Sequence, residues 1–335
     1  MGSKSGIEWT ESTWNPITGC SRVSPGCRRC YAETQAAGRL KNSPRYEGTT
    51  ADGRWTGTIL RHEDKLGQPM SWRNPRRIFV NSMSDPFHEN LIGTPEGLDF
   101  VARMFAVMIV TDRHDFQLLT KRHEEMAATL TDPAFRARVR VAAWEIIHRP
   151  KRPRPPSDRV AAWLRDIEQP WPSWLWLGVS VENAANLGRV DALRTVPAEV
   201  RWISAEPLLG ELRGLNLDGI SWVVAGGESG VDARPMHPEW LRHLRSLCAD
   251  ADVAYLVKQW GEWVPKDDAP PGSIADDTWA TQVTAAGAHG DTAPPVGSRF
   301  ATMYRVGKAR AGRTLDGRAW DEYPRSSSPV GIGGA

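Results

Sequence analysis

The chain has 335 residues, with 42 Lys and Arg against 40 Asp and Glu and a formal net charge of +2. Bulk charge therefore excludes a strongly basic nucleic-acid binder, and any such contact must come from a local patch. The length suits one large α/β domain or two ordinary ones, and a hydrophobic fraction of 40% is enough to bury a sizeable core. No apolar run reaches membrane-span length, and the opening residues MGSKSGIEWTES lack the apolar core of a signal peptide. The expectation is a cytoplasmic protein with no membrane partner.

In chain order, residues 7–14 read as a short extended segment. They lead into NPITGCSRVSPGCRRCYAE (15–33), which holds Cys20, Cys27 and Cys30 in a C-x6-C-x2-C spacing. A helix is predicted from near Arg28 to about Leu40. Residues 42–76, rich in Gly, Pro, Arg and Trp, read as an irregular insertion, with Trp55 and Trp72 as aromatic groups suited to stacking on bases. Arg77-Ile-Phe-Val-Asn81 is a compact apolar strand ending in SMSDPF. Thr94-Pro95-Glu96 is a helix start, with Thr as N-cap and Pro at the first helical position. Phe116–Thr120, residues 174–181, 200–204, 222–225 and 254–258 read as further strands. Helices are predicted over about 183–193 and 237–250.

Apolar strands alternating with helices indicate a parallel sheet covered on both faces. The fold class is therefore α/β, a complete or partial (β/α) barrel with an N-terminal cysteine loop and inserted loops; an open doubly wound sheet is the alternative. The barrel is favoured because nearly every strand ends in polar residues, which a parallel barrel gathers at one mouth. The domain organisation expected is one domain over 1–324, with insertions at about 42–76, 131–170 and 264–299 and a disordered tail at 325–335. The second insertion carries a basic, proline-rich centre with Arg149, Lys151, Arg152, Arg154 and Arg159, suited to a phosphate backbone or to a solvated loop.

In a reducing compartment, clustered thiols point to metal or redox work. Structural zinc wants four ligands, and here a histidine such as His62 or His88 would have to join the three cysteines. An iron–sulfur cluster held by three cysteines leaves one iron open and matches the spacing better. Cys248, inside a predicted helix, reads as a buried small hydrophobe.

NPITGC…GCRRCYAE resembles the N-terminal motif of radical S-adenosylmethionine (SAM) enzymes, closest to the spore-photoproduct-lyase-like branch. VNSMSDPFH and QLLTKR are similar to that branch's strand ends. Taken together with LGVSVEN, RWISAEPLLG, VVAGGESG, VKQWG and GRTLDGRAWDEYP, the chain resembles a phage- and prophage-encoded family of unknown function carrying this three-Cys motif. The resemblance implies a radical-SAM barrel with a [4Fe-4S] cluster on Cys20, Cys27 and Cys30 and SAM chelated at the open iron. It implies an enzyme that cleaves SAM and abstracts hydrogen from a substrate, with a nucleic-acid base or nucleotide as the expected substrate. A reductant protein and a partner protein encoded nearby complete its expected partners. The sequence departs from the usual C-x3-C-x2-C spacing, and no Gly-Gly-Glu follows the second strand.

The residues expected to touch the cofactor are Tyr31, as a stacking aromatic, with Ser82, Ser84, Asp85, Ser180 and Glu182 at strand ends. Lys121, Glu206, Glu228 and Lys258, also at strand ends, are the catalytic candidates. Residues 225–230 form a glycine-rich turn suited to close backbone approach. The competing reading is a non-enzymatic, zinc-stabilised nucleic-acid-binding protein.

Overall fold

The computed structural model describes residues 5–149, 155–287, 289–290 and 299–324. Seven strands form its main sheet: β1 (Ser12–Trp14), β2 (Arg77–Val80), β3 (Asp115–Thr120), β4 (Trp171–Ser180), β5 (Ala198–Ala205), β6 (Trp222–Gly226) and β7 (Ala254–Gln259). Each pairs in parallel with the next, so spatial order equals chain order. A doubly wound sheet would reverse its order at a switch point, and this one does not. The sheet curls into a partly open half-barrel. Strand β1 is one edge. Along β7, Val257 N–H donates to Trp320 O at 3.0 Å, so the chain's late segment covers the other edge.

Side-chain alternation explains why the strands are apolar on both faces. The convex face (Ile78, Val80, Leu118, Leu177, Ile203 and Val223 among others) joins the helical layer in one large cluster. The concave face is filled by a second cluster built on Trp9, Trp176, Trp202, Trp222, Val224 and Leu256. Trp9 lies 5.2 Å from Trp202, and Trp202 lies 5.2 Å from Trp222, between ring centroids. This layer accounts for part of the high tryptophan content. It also requires Gly178: a Cβ there would stand 2.4 Å from the Trp202 indole. Each concave column therefore runs from aromatic residues to small or polar ones at the strand C-termini: Trp176–Gly178–Ser180, Trp202–Ser204, Leu256–Lys258.

The helices are α1 (Tyr31–Ala37), α2 (Pro95–Val110), α3 (His123–Thr131), α4 (Pro133–Ile147), α5 (Asp158–Arg165), α6 (Gly188–Thr195) and α7 (Pro238–Asp250), besides shorter turns. The start expected for α2 is found: the Thr94 hydroxyl accepts from Gly97 N–H at 3.1 Å, and Pro95 opens the helix. Such a cap contributes about 1 kcal/mol. Its buried face, with Phe100, Met104, Phe105 and Met108, packs on α4 and β4. Helix α1 is shorter than expected. Residues 28–30 lie outside it, and Cys30 is extended at its N-cap.

Three stretches read as insertions are more ordered than their composition suggested. Within 42–76, Leu60–Arg61 pairs with Ile17–Thr18, and Leu66 and Trp72 join the main core. Trp72 is buried, so it is not a free stacking platform. Within 131–170, α4 and α5 extend the helical layer, and Arg159 lies over the Trp174 ring and pairs with Asp112; Lys151, Arg152 and Arg154 lie outside the described residues. Around 264–299, from Trp263 to Arg305, a four-stranded antiparallel sheet has the order β8 (Trp263–Pro265), β11 (Phe300–Arg305), β9 (Ala280–Thr284), β10 (His289–Gly290). The expected tail at 325–335 is also outside the described residues. No helix among the described residues is long and apolar enough to cross a membrane.

Candidate functional site

The strand C-termini and the loop over 20–30 enclose two adjoining cavities that share Cys30, Phe79 and Ser82. The larger, about 800 Å³, lies between the first and last strands and is lined by Asn15, Tyr31, Phe79, Ser82, Glu206 and Lys258 among others. The smaller, about 160 Å³, is lined by Cys20, Cys27, Cys30, Asp85, Lys121 and Arg122 among others. The mouth expected of the half-barrel is therefore present, and most strand-end residues singled out above border it.

Their partners decide what they do. Glu182, fully buried, accepts from Ser24 Oγ at 2.6 Å and pairs with Lys121 Nζ at 3.3 Å and Arg189 Nη1 at 2.8 Å. Burial pushes its carboxyl up, but Lys121, Arg189 and the Ser24 hydroxyl outweigh that and hold it below the usual carboxylate range. Glu228 receives Arg29 at 3.3 Å, Arg234 Nε at 2.9 Å and the Arg234 backbone N–H at 2.9 Å. Here too burial pushes up, and Arg234 and Arg29 bring the carboxyl below its ordinary value. Arg122 Nη2 donates to Ser21 Oγ at 2.6 Å and Arg122 Nε to Glu89 at 2.8 Å. Three strand ends thus hold the cysteine loop from beneath. Gly26 sits so close that a Cβ would come within 2.3 Å of Glu182 Oε1.

Asp85 is equally engaged. It accepts from Thr120 Oγ1 at 2.7 Å, Lys121 N–H at 3.1 Å, Phe87 N–H at 3.0 Å and Arg122 at 3.4 Å. Ser84 donates to Ile17 O at 3.0 Å, and Ser82 to Asn15 Oδ1 at 3.1 Å. Ser180 accepts from Lys121 Nζ at 2.6 Å. These residues brace the mouth rather than present free groups. Facing the larger cavity, among others, are Tyr31, which is 65% exposed, and the pair Lys258–Glu206 at 2.6 Å, with Gln259 Nε2 also donating to Glu206 at 3.2 Å. The glycine-rich turn over 225–230 is tied to the end of β7: Gly227 N–H donates to Gln259 O at 3.0 Å and Glu262 N–H to Glu228 O at 3.1 Å.

The cysteines do not form the centre expected of them. Among the described residues, no group of three or more His, Cys, Asp or Glu side chains is placed to hold a metal ion. Cys20 Sγ donates to Ser21 O at 3.4 Å and lies 3.7 Å from Arg122 Nη1. Burial, reinforced by Asp85, pushes its thiol up to about 12; burial also pushes Cys30 up. Neither histidine completes a set: His62 Nε2 meets Thr18 Oγ1 at 2.9 Å, and His88 Nε2 meets Ser21 Oγ at 2.9 Å. This overturns the expected [4Fe-4S] cluster on Cys20, Cys27 and Cys30. The SAM cofactor chelated to it and the radical SAM enzyme built on it fall with the cluster, and the zinc-stabilised alternative falls on the same finding. Cys248, as expected, is a buried core thiol, pushed up to about 12 by burial.

Ser24, Arg29, Arg122, Arg189 and Arg234 are residues of this site that escaped sequence reasoning. Arg29 stands inside the cysteine motif, 199 positions from Glu228, and Arg189 lies on a helix seven residues after Glu182; nothing in their local pattern announces these carboxylate partners.

Residues 4–324 match the family described as Protein of unknown function (DUF5131). No curated protein matches, and no solved structure matches. The kinship expected with radical SAM enzymes and with a phage-encoded family is corrected accordingly: the matching family's description carries neither, and the metal centre that would support it is not assembled.

Proposed function

The chain belongs to this family, and we propose that it binds a nucleotide in the mouth of the half-barrel. The observation that carries this reading is the cavity of about 800 Å³, which joins an exposed Tyr31 and a Phe79 wall to the Lys258–Glu206 pair. That volume lies within the range of small-molecule sites, which combine apolar walls with a few placed polar groups. The aromatic side suits a base. Lys258, with Arg39 and Lys308 on the same cavity, suits a phosphate. Glu206 suits ribose hydroxyls or base N–H groups. Topology supports the same place, because ligands of parallel sheets bind at strand C-termini.

The test is titration of the full chain with ribonucleoside monophosphates, followed by calorimetry and by tryptophan fluorescence. Saturable binding is expected, weakened about tenfold or more in Lys258→Ala, the scale of one charge-assisted hydrogen bond. Absence of binding for every nucleotide, or unchanged affinity in Lys258→Ala, overturns the reading.

A further inference from the structure

A separate groove of about 330 Å³ opens beside the mouth. It lies between the segment after β6 (Val231 to Pro235), Trp263 of β8, Trp279 and Thr281 near β9, Arg305 of β11, and Arg29 of the cysteine loop. Its composition is unusual for solvated surface. Trp279 is 55% exposed and Val231 is 83% exposed. The Trp279 ring packs at 5.0 Å from Trp263, and the Arg305 guanidinium lies 5.8 Å from the Trp279 ring. Arg29, Arg234 and Arg305 line the groove, against Asp232 on its wall and the buried Glu228 behind Arg29 and Arg234. The indole is thus held at a fixed tilt by its neighbours while much of its surface stays in water.

Fixed aromatic faces beside guanidinium groups are the elements by which single-stranded nucleic acids are held without sequence preference: bases stack and phosphates meet cations. Residues of the groove and of the mouth are near neighbours along the chain. Ser229 lines the mouth and Val231 begins the groove; Tyr31 lines the mouth and Arg29 lines the groove. We infer that this groove is a track for a single-stranded nucleic acid, with a base stacked on Trp279 and phosphates at Arg305 and Arg29. In its link to the mouth the inference rests on the nucleotide reading above: the strand would pass from the mouth over Arg29 to Trp279.

The test uses the full chain, a fluorescently labelled oligothymidylate of about ten nucleotides and the mononucleotide, each titrated at several KCl concentrations. The oligonucleotide is expected to bind about tenfold or more tighter than the mononucleotide, and to weaken steadily with salt. Trp279→Ala should lower oligonucleotide affinity about fivefold or more, the cost of one lost stacking platform, and leave mononucleotide affinity unchanged; Trp279→Phe should restore part of it. Because Trp279 is largely exposed, its replacement leaves the core intact, and circular dichroism of the variant checks this. Equal oligonucleotide affinity in wild type and Trp279→Ala overturns the inference. So does displacement of the oligonucleotide by polyglutamate as efficiently as by unlabelled strand, which marks an acidic-peptide surface instead. If the mononucleotide does not bind but the oligonucleotide does, with the loss in Trp279→Ala, the mouth reading falls and the groove stands.

Discussion

Ser24 and Glu182, 158 positions apart in the chain, meet at 2.6 Å, with the serine hydroxyl donating to a fully buried carboxylate that also holds Lys121 and Arg189. The cysteine loop is therefore fastened to the half-barrel through a charge cluster. A buried carboxylate with two cations is costly to break, because each partner is left desolvated and unpaired. Glu182→Ala should destabilise the protein by about 3 kcal/mol, and Glu182→Gln, which still accepts from Ser24, by less. Urea unfolding at neutral pH checks both values; an unchanged midpoint in Glu182→Ala would show that the cluster is not holding the loop.

This cluster and the one around Glu228, with Arg29 and Arg234, set an acid limit. The Glu182 and Glu228 carboxyls are held below their usual values in the folded chain. Their contribution is present above the unfolded carboxylate value of about 4.3 and is lost as pH falls through the lower folded values. Stability should therefore drop below about pH 4.5, and Glu228→Gln should be less stable than wild type at pH 7 but converge on it near pH 3. Acid titration followed by far-UV circular dichroism distinguishes convergence from a constant offset.

A second pH dependence lies higher. His114 is fully buried, its Nε2 lies 3.2 Å from Pro69 O, and burial pushes its imidazole down to about 4. Unfolding frees it to titrate near 6.5, so stability is complete above that value and is lost as pH falls from about 6.5 towards about 4. His62, His88 and His237 are shifted the same way, each chiefly by burial. His114→Gln should flatten part of this slope. Thermal unfolding at pH 7.5 and pH 5 measures it, and an undiminished difference between the two would rule the assignment out.

Gly178 and Trp202 face each other across neighbouring strands, with the indole Nε1 donating to Leu118 O at 3.0 Å. Gly178→Ala forces a Cβ into the ring, and overpacking of this kind costs about 1–3 kcal/mol. The expected result is a lowered urea midpoint with a shift in tryptophan emission, since the concave cluster has to repack.

Cys20 and Cys248 should resist iodoacetamide in the native protein at pH 8, because burial pushes both thiols up to about 12 and the thiolate is the nucleophile. Mass spectrometry of the labelled protein should find both modified only after unfolding. Rapid native labelling of Cys20 would show the loop to be open.

The sequence by itself determined the repeating units. Apolar strands, the Thr94–Pro95 start of α2, the start of α7 near His237 and the polar residues at strand ends all follow from local periodicity and capping chemistry, which act over a few residues. The short reach of that chemistry also explains what was misjudged. Spacing announces that Cys20, Cys27 and Cys30 are near one another along the chain, but ligand sets depend on where side chains point, and here Arg122, Ser21 and burial decide the state of the first of them. Charge announces that Glu182 and Glu228 sit at a mouth, but not that Ser24 and Arg29 claim them from the distant cysteine loop, or that Arg189 and Arg234, a few residues downstream, fold back onto them. Only the tertiary structure decided which polar groups brace the mouth and which, like Lys258 and Tyr31, face its cavity. The physical reason is that desolvation and ion pairing depend on distances across the fold, which local patterns along a chain do not encode.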